Sequence, residues 1–173
     1  MNRRFATVLL LASATTLAAC AKKAPEELPP PPPSATDSGP ATPQAVTPSG
    51  PQVGSQAHFE DAVNGQNVIF FDTDRFNIDS ADAAALQSQA QYLARYPQVR
   101  ITVEGHADER GTREYNLALG ERRANAAKNY LVSLGVDASR VATVSYGKER
   151  PVALASNAQA WAQNRRAVSV VIN

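Results

Sequence analysis

All but two of the chain's 12 prolines, Pro97 and Pro151, fall between Pro25 and Pro51. Proline fixes φ and removes a backbone donor, so that stretch can extend neither a helix nor a sheet. From Ala21 to about His58 the other residues are mostly Ala, Ser, Thr and Gly, too little apolar surface to offset the entropy of ordering. The five prolines Pro29 to Pro33 favour a locally stiff, extended left-handed helix. The segment reads as a disordered tether of roughly 38 residues, about 35 Å long as a coil and up to about 120 Å at the polyproline rise. A ligand for proline-recognition modules is the alternative. Folding is left to residues 59–173, a length that can bury its own core.

Residues 1–19 read as an export signal. Met1 to Arg4 carries two arginines, and Phe5 to Leu17 follows as an uncharged, largely apolar run. That run is shorter than the roughly 20 residues that span a bilayer core. A buried N-terminal helix is the competing reading, and the charged start disfavours it. The run ends in Leu17-Ala18-Ala19-Cys20, which holds the only cysteine in the chain. A lone cysteine forms no internal disulfide and elsewhere would be a small buried residue. The tetrapeptide resembles the lipobox of bacterial lipoproteins, which implies cleavage before Cys20 and acylation of that cysteine. Two or more acyl chains make a durable anchor. Ala21, where an Asp would imply retention in the inner membrane, implies the outer membrane. Residues 20–58 are then a lipidated tether. Removing Arg3 and Arg4 takes the formal charge from +1 to about −1, so no basic face points to nucleic acid.

Beyond residue 58, strand and helix periods alternate. Val68 to Phe71 predicts a first strand. Asp79-Ser80 caps a helix from about Ala81 to Arg95, with Leu86, Ala90 and Leu93 on one face and Pro97 beyond its end. Val99, Ile101 and Val103 alternate with polar residues as a second strand. The loop Gly105 to Gly111 leads to a helix from about Thr112 to Leu134, with a core stripe of Leu117, Gly120, Ala124, Ala127, Leu131 and Leu134. Gly135 should stop it. Val141 to Tyr146, Ser156 to Gln163 and Ala167 to Ile172 predict strand, short helix and strand. The fold class expected is α/β, an α+β sandwich with helices over one face of a four-stranded sheet.

The chemistry concentrates in Glu104-Gly105-His106-Ala107-Asp108-Glu109-Arg110-Gly111-Thr112 and the helix after it. Asn116 and Arg123, seven residues apart, differ by about 20° around the helix axis, with Gly120 between them. A helical glycine costs about 1 kcal/mol against Ala, so a close approach should compensate there. Either a ligand lies along Asn116, Gly120 and Arg123, or the helix packs tightly on the sheet. Asp108 suits a ligand ammonium, and the planar guanidinium of Arg123 suits a carboxylate, so a zwitterionic amino-acid end fits the pair. The competing reading is a salt bridge from Asp108 to Arg110, Arg122 or Arg123, worth at most about 1 kcal/mol on a surface. Arg165 and Arg166 read as an exposed basic turn pairing with nearby acids, with direct ligand contact as the alternative. His106 and Asp108 are two metal-type ligands where three are the usual minimum, and no nucleophile shares the loop, so neither metal site nor enzyme is expected.

Together Gly105-His106-Ala107-Asp108-Glu109-Arg110-Gly111-Thr112, Leu119-Gly120-Glu121-Arg122-Arg123-Ala124-Asn125-Ala126, Ser145-Tyr146-Gly147-Lys148-Glu149 and Asn164-Arg165-Arg166 resemble the peptidoglycan-associated lipoproteins, within the wider OmpA-like domain family. The resemblance covers about residues 60–173, and the lipobox and tether also fit it. It implies a mixed four-stranded sheet and noncovalent binding of the diaminopimelate in the peptide stem of peptidoglycan. The family's loop Asp, helix Asn and helix Arg fall on Asp108, Asn116 and Arg123. The backbone of Phe71, Asp72 and Thr73 corresponds more loosely to the same pocket. Gly120 stands where the general motif has Ser, and Ala127 where it has Val. The resemblance further implies a periplasm-facing domain linking outer membrane to wall in the Tol–Pal system, with TolB as partner and a role in constriction at division. No cofactor is implied. A cell-wall hydrolase, or a protein scaffold with a vestigial peptidoglycan site, are the alternative functions.

Overall fold

The computed structural model describes residues 50–172. The expected signal segment, Cys20 and most of the tether lie outside them. The elements in order are α1 (Gln56–Ala62), β1 (Val68–Phe70), α2 (Ser80–Arg95), β2 (Arg100–His106), α3 (Arg113–Ser133), a 3-10 turn (Ala138–Arg140), β3 (Val141–Gly147), α4 (Ala158–Asn164) and β4 (Arg166–Ile172). One sheet runs β1-β4-β2-β3, antiparallel except for the parallel pair β2–β3, so it is mixed as expected.

Directly paired residues share a sheet face. The pairings Ile101↔Val141, Gly105↔Ala167 and Ile69↔Ala167 therefore define the inner face. Against it lie Phe59 of α1, Leu86, Ala90 and Leu93 of α2, and Ala124, Ala127 and Leu131 of α3, in one buried cluster. α4 contributes nothing to that cluster.

The helix ends follow their capping residues. Asp79 accepts from the Asp82 N–H, and Thr112 accepts from the Tyr115 N–H. Gly135, at φ +96, ends α3 as anticipated: its N–H donates to Val132 O and the Val136 N–H to Leu131 O. Buried Val136 and Leu131 meet across that paired closure.

Two expectations need correction. The domain starts before residue 59: Ser55 caps α1, Gln56 Oε1 accepts from the Val171 N–H at 2.7 Å, and the Phe59 ring lies 5.0 Å from Tyr92. The α3 stripe is also rotated. Leu117 is half-buried and Leu134 exposed, while Asn116, Leu119 and Arg123 are buried alongside Gly120, Ala124, Ala127 and Leu131. Asn116 and Arg123 occupy this inward face where α3 lines a cavity at the end of β2.

Gly120 is explained by packing. A Cβ on it would collide with Ser145 Oγ and lie 2.8 Å from Gly105 O, and one on Gly105 would run into the Gly120 carbonyl. The two glycines let α3 lie directly on β2, which fixes the distance of the helix's Asn116 and Arg123 from the end of that strand.

Candidate functional site

At the C-terminal end of β2 the register slips. Ser145 pairs with Gly105 but Gly147 with His106, which leaves Tyr146 as the extra residue of a bulge. Bulges bend a strand and re-aim the residues beyond them. Here the chain leaves the sheet into a loop whose polar groups are pinned. The Ala107 N–H donates to Gly147 O, the Arg110 N–H to Asp108 Oδ1, and Lys148 Nζ to the carbonyls of Glu109 and Gly111. Asn116 Nδ2 takes the carbonyls of Arg110 and Thr112 at 2.7 and 3.0 Å. Gly111, at φ +85, turns the chain into α3. The loop is held before any ligand arrives.

Over it opens a cavity of about 280 Å³ lined by Asp74, Asp108, Arg110, Asn116, Arg123 and Arg165, with Thr73, Gly111, Tyr115 and Leu119 completing the wall. Asp108 and Arg123 thus line one space, with Asn116 between. Gly120 does not line it and is withdrawn as a site residue, for the packing reason above. Thr73 lines this cavity. Phe71 and Asp72 line an adjoining one of about 420 Å³, which shares only Arg165 with the first. Their carbonyls nevertheless serve the site, that of Phe71 accepting from Arg165 Nε and that of Asp72 from Arg123 Nη2.

Arg123 has no solvent-exposed surface. Its Nε, Nη1 and Nη2 donate to the carbonyls of Arg75, His106 and Asp72 at 2.9, 2.7 and 3.1 Å. Burial, and then the charge of Arg165, pushes its pKa down to about 10, so it remains a cation at neutral pH. A guanidinium has five N–H donors, and three go to these carbonyls.

Asp108 is also engaged. Arg110 grips it in a fork, Nε to Oδ1 at 2.9 Å and Nη2 to Oδ2 at 2.6 Å, and Arg165 Nη1 stands 3.5 Å from Oδ2. Burial alone would raise this carboxyl, but the Arg110 hydrogen bonds and the charges of Arg110 and Arg165 outweigh it and hold it below the usual range. The salt bridge considered as the competing reading of Asp108 therefore exists, and it sits inside the cavity. Arg165 and Arg166 form no exposed turn: Arg165 is half-buried and lines the site, and Arg166 is buried. Arg165 reaches Asp108 because β4 runs antiparallel to β2, and two residues beyond the Gly105↔Ala167 pair put it beside the loop.

On the far side of the same strand end, His106 is 1% exposed and neither ring nitrogen has a hydrogen-bond partner among the described residues. Burial, then Arg166 and Arg150, pushes its pKa from 6.5 down to about 4. The imidazole is therefore neutral at physiological pH, and the approach of Glu104 Oε2 at 3.6 Å is no ion pair there. The unfolded chain takes up a proton near pH 6.5 that the folded chain refuses until about pH 4. Stability is accordingly full above 6.5 and lost as pH falls through that window, by about 3 kcal/mol for a shift of this size. Denaturant unfolding of a 50–173 fragment between pH 7.5 and 4 should show the loss, and His106→Gln should flatten that part of the curve. Parallel curves would assign the acid sensitivity to other groups.

The fold and this site define a class. The OmpA family model matches residues 70–165, more than half of the chain, and the chain belongs to that family. Similar proteins include the peptidoglycan-associated lipoproteins of Agrobacterium fabrum (59% identical over 118 residues, 68% of this chain and 66% of that protein) and of Mesorhizobium japonicum (53% over 138 residues, 80% and 78%). The Agrobacterium match spans just under two thirds of that relative's length. Among solved structures, the peptidoglycan-associated lipoprotein of Burkholderia pseudomallei superposes with a TM-score of 0.63 at 44% identity, covering 65% of this chain and 96% of that one. The C-terminal domain of Helicobacter pylori MotB, 20% identical with a TM-score of 0.57 over 61% and 84%, shares the fold.

Proposed function

We propose that the chain is an outer-membrane lipoprotein, anchored through Cys20, whose folded domain binds peptidoglycan noncovalently from the periplasmic side and tethers membrane to wall. The observation that carries this reading is the cavity in which Asp108 and Arg123 supply opposite charges on a pre-held loop and helix. Relatives named peptidoglycan-associated lipoproteins, at 53–59% identity, support it. The ligand group is the zwitterionic end of diaminopimelate. Its ammonium goes to Asp108, and its carboxylate to the Arg123 donors not committed to backbone carbonyls. Asn116 and Thr73 shape the wall between. The domain binds without catalysis. It acts within a Tol–Pal system, with TolB as protein partner, in envelope integrity and constriction.

The test is co-sedimentation of the full chain, in detergent, with purified sacculi, with and without TolB. The chain should pellet with sacculi, and TolB should compete. A chain that stays in the supernatant ends the binding reading, and clearing of a peptidoglycan gel on zymography would replace it with a hydrolase. The anchor has its own test. Cys20→Ser should leave an unprocessed precursor without label from radioactive palmitate, and label retained by that variant would place the lipid elsewhere.

A further inference from the structure

Resting on the zwitterion reading, we infer that the Arg110–Asp108 ion pair is a specificity filter: Arg110 stands in for the ligand's ammonium, and only a ligand bringing a carboxylate together with its ammonium can exchange with it. Asp108 has two cationic neighbours of different kinds. Arg165 is fixed, its side chain 14% exposed and its Nε bound to Phe71 O at 2.8 Å. Arg110 is removable, its side chain 42% exposed while Asp108 is 8% exposed.

Arg110 also has somewhere to rest. Its guanidinium carbon lies 4.3 Å above the Trp161 ring, itself steadied by an Nε1 bond to Glu109 Oε1 at 2.8 Å, and its Nη2 is 3.3 Å from Thr73 Oγ1. A guanidinium on an indole face keeps a favourable contact after leaving a carboxylate. Asp108 keeps the Arg110 backbone N–H, at 3.1 Å, throughout.

Charge decides which ligands can make the exchange. The cavity holds Asp74 and Asp108 against Arg110, Arg123 and Arg165, a formal excess of one positive charge. A bare amine entering at Asp108 would raise that excess to two and leave Arg110 beside it without its carboxylate. A zwitterion adds no net charge, and its carboxylate, besides meeting Arg123, offers its second oxygen to the displaced Arg110. Discrimination thus comes from a repulsive element as much as from the attractive pair.

The filter is tested by the ratio of two competitors releasing the full chain from sacculi in detergent. These are meso-diaminopimelate and cadaverine, the diamine with the same five-carbon spacing of nitrogens and no carboxylates. For wild type, diaminopimelate should release the chain at a concentration at least about tenfold lower than cadaverine, a difference of about 1.4 kcal/mol. In Arg110→Gln the ratio should fall below about threefold, chiefly because cadaverine improves, while Arg110→Lys should restore part of it. An unchanged ratio in Arg110→Gln, or equal weakening of both competitors, overturns the filter and makes Arg110 an ordinary contact. Wild type failing to pellet with sacculi would overturn the peptidoglycan reading itself, so the two failures are distinguishable.

Discussion

Arg123→Ala is expected to lower the melting temperature of a 50–173 fragment by roughly 10 °C or more, and to remove sacculus binding with it. A residue that merely reached into a ligand site from the surface could be shortened without harm to the fold. Arg123 has no exposed surface, and its guanidinium joins three separate stretches: the loop after β1 through Asp72 and Arg75, the end of β2 through His106, and its own helix. Truncation leaves three acceptors short of a donor, at roughly 1–3 kcal/mol for each one buried. It also opens a void beneath the Phe71 ring, whose centre lies 5.2 Å from the guanidinium carbon. A loss of at least about 3 kcal/mol corresponds to the stated shift for a domain of this size. Arg123→Lys should recover only part, because one ammonium cannot reach three carbonyls in a planar fork. Arg122→Ala is the control, since Arg122 is exposed, with its guanidinium 5.8 Å from the Phe76 ring. A melting temperature for Arg123→Ala within a few degrees of wild type would mean that the carbonyls find water, and that Arg123 serves the ligand alone.

Much of the domain is legible in the sequence because local signals and tertiary packing agree. Asp79, Thr112 and Gly135 act as the caps their residue types announce, and the alternation Ile101, Val103 marks the inner face of β2. What escapes depends on partners distant in sequence. Helix α1 offers only seven residues and one buried side chain, Phe59, and it is held by contacts to Tyr92 and Val171. The α3 stripe is misphased because apolar periodicity selects Leu117 and Leu134, whereas the inward face carries Asn116 and Arg123. Gly120 cannot be resolved from α3 alone, since the atoms it must avoid belong to Gly105 and Ser145 on two strands. Asp108, Asn116 and Arg123 are within reach through their motif. Arg165 is only the less favoured alternative in the sequence, and it is placed at the cavity when β4 is paired antiparallel to β2. The pairing of Arg110 with Asp108 is expected as an alternative to a ligand site, and in the structure that pair lines the candidate cavity.

Asp108→Asn should be the mirror image of the Arg123 variant, with a large loss of binding and little loss of fold. The substitution keeps the size of the side chain and an oxygen able to accept the Arg110 backbone N–H, now bound to Oδ1 at 3.1 Å. The half-exposed Arg110 can turn to solvent and the Trp161 face, while Arg165 retains its bond to Phe71 O. The ligand has no such escape. Its ammonium would enter a cavity whose remaining charges are Asp74 and three arginines, an excess of two positive charges where the wild type has one. Leaving one charge of a buried pair unpartnered costs about 2–5 kcal/mol, which is roughly a 30- to 5,000-fold loss of affinity. Co-sedimentation of the full chain with sacculi should therefore fall to background, while the melting temperature of the 50–173 fragment moves by a few degrees at most. The lowered pKa of Asp108 sets the matching pH response in the wild type: the carboxylate persists below the usual Asp range, so binding should hold through mild acid and decline only as this group protonates. Wild-type pelleting by Asp108→Asn would separate Asp108 from the ligand and leave the Arg110–Asp108 pair as a brace for the loop alone.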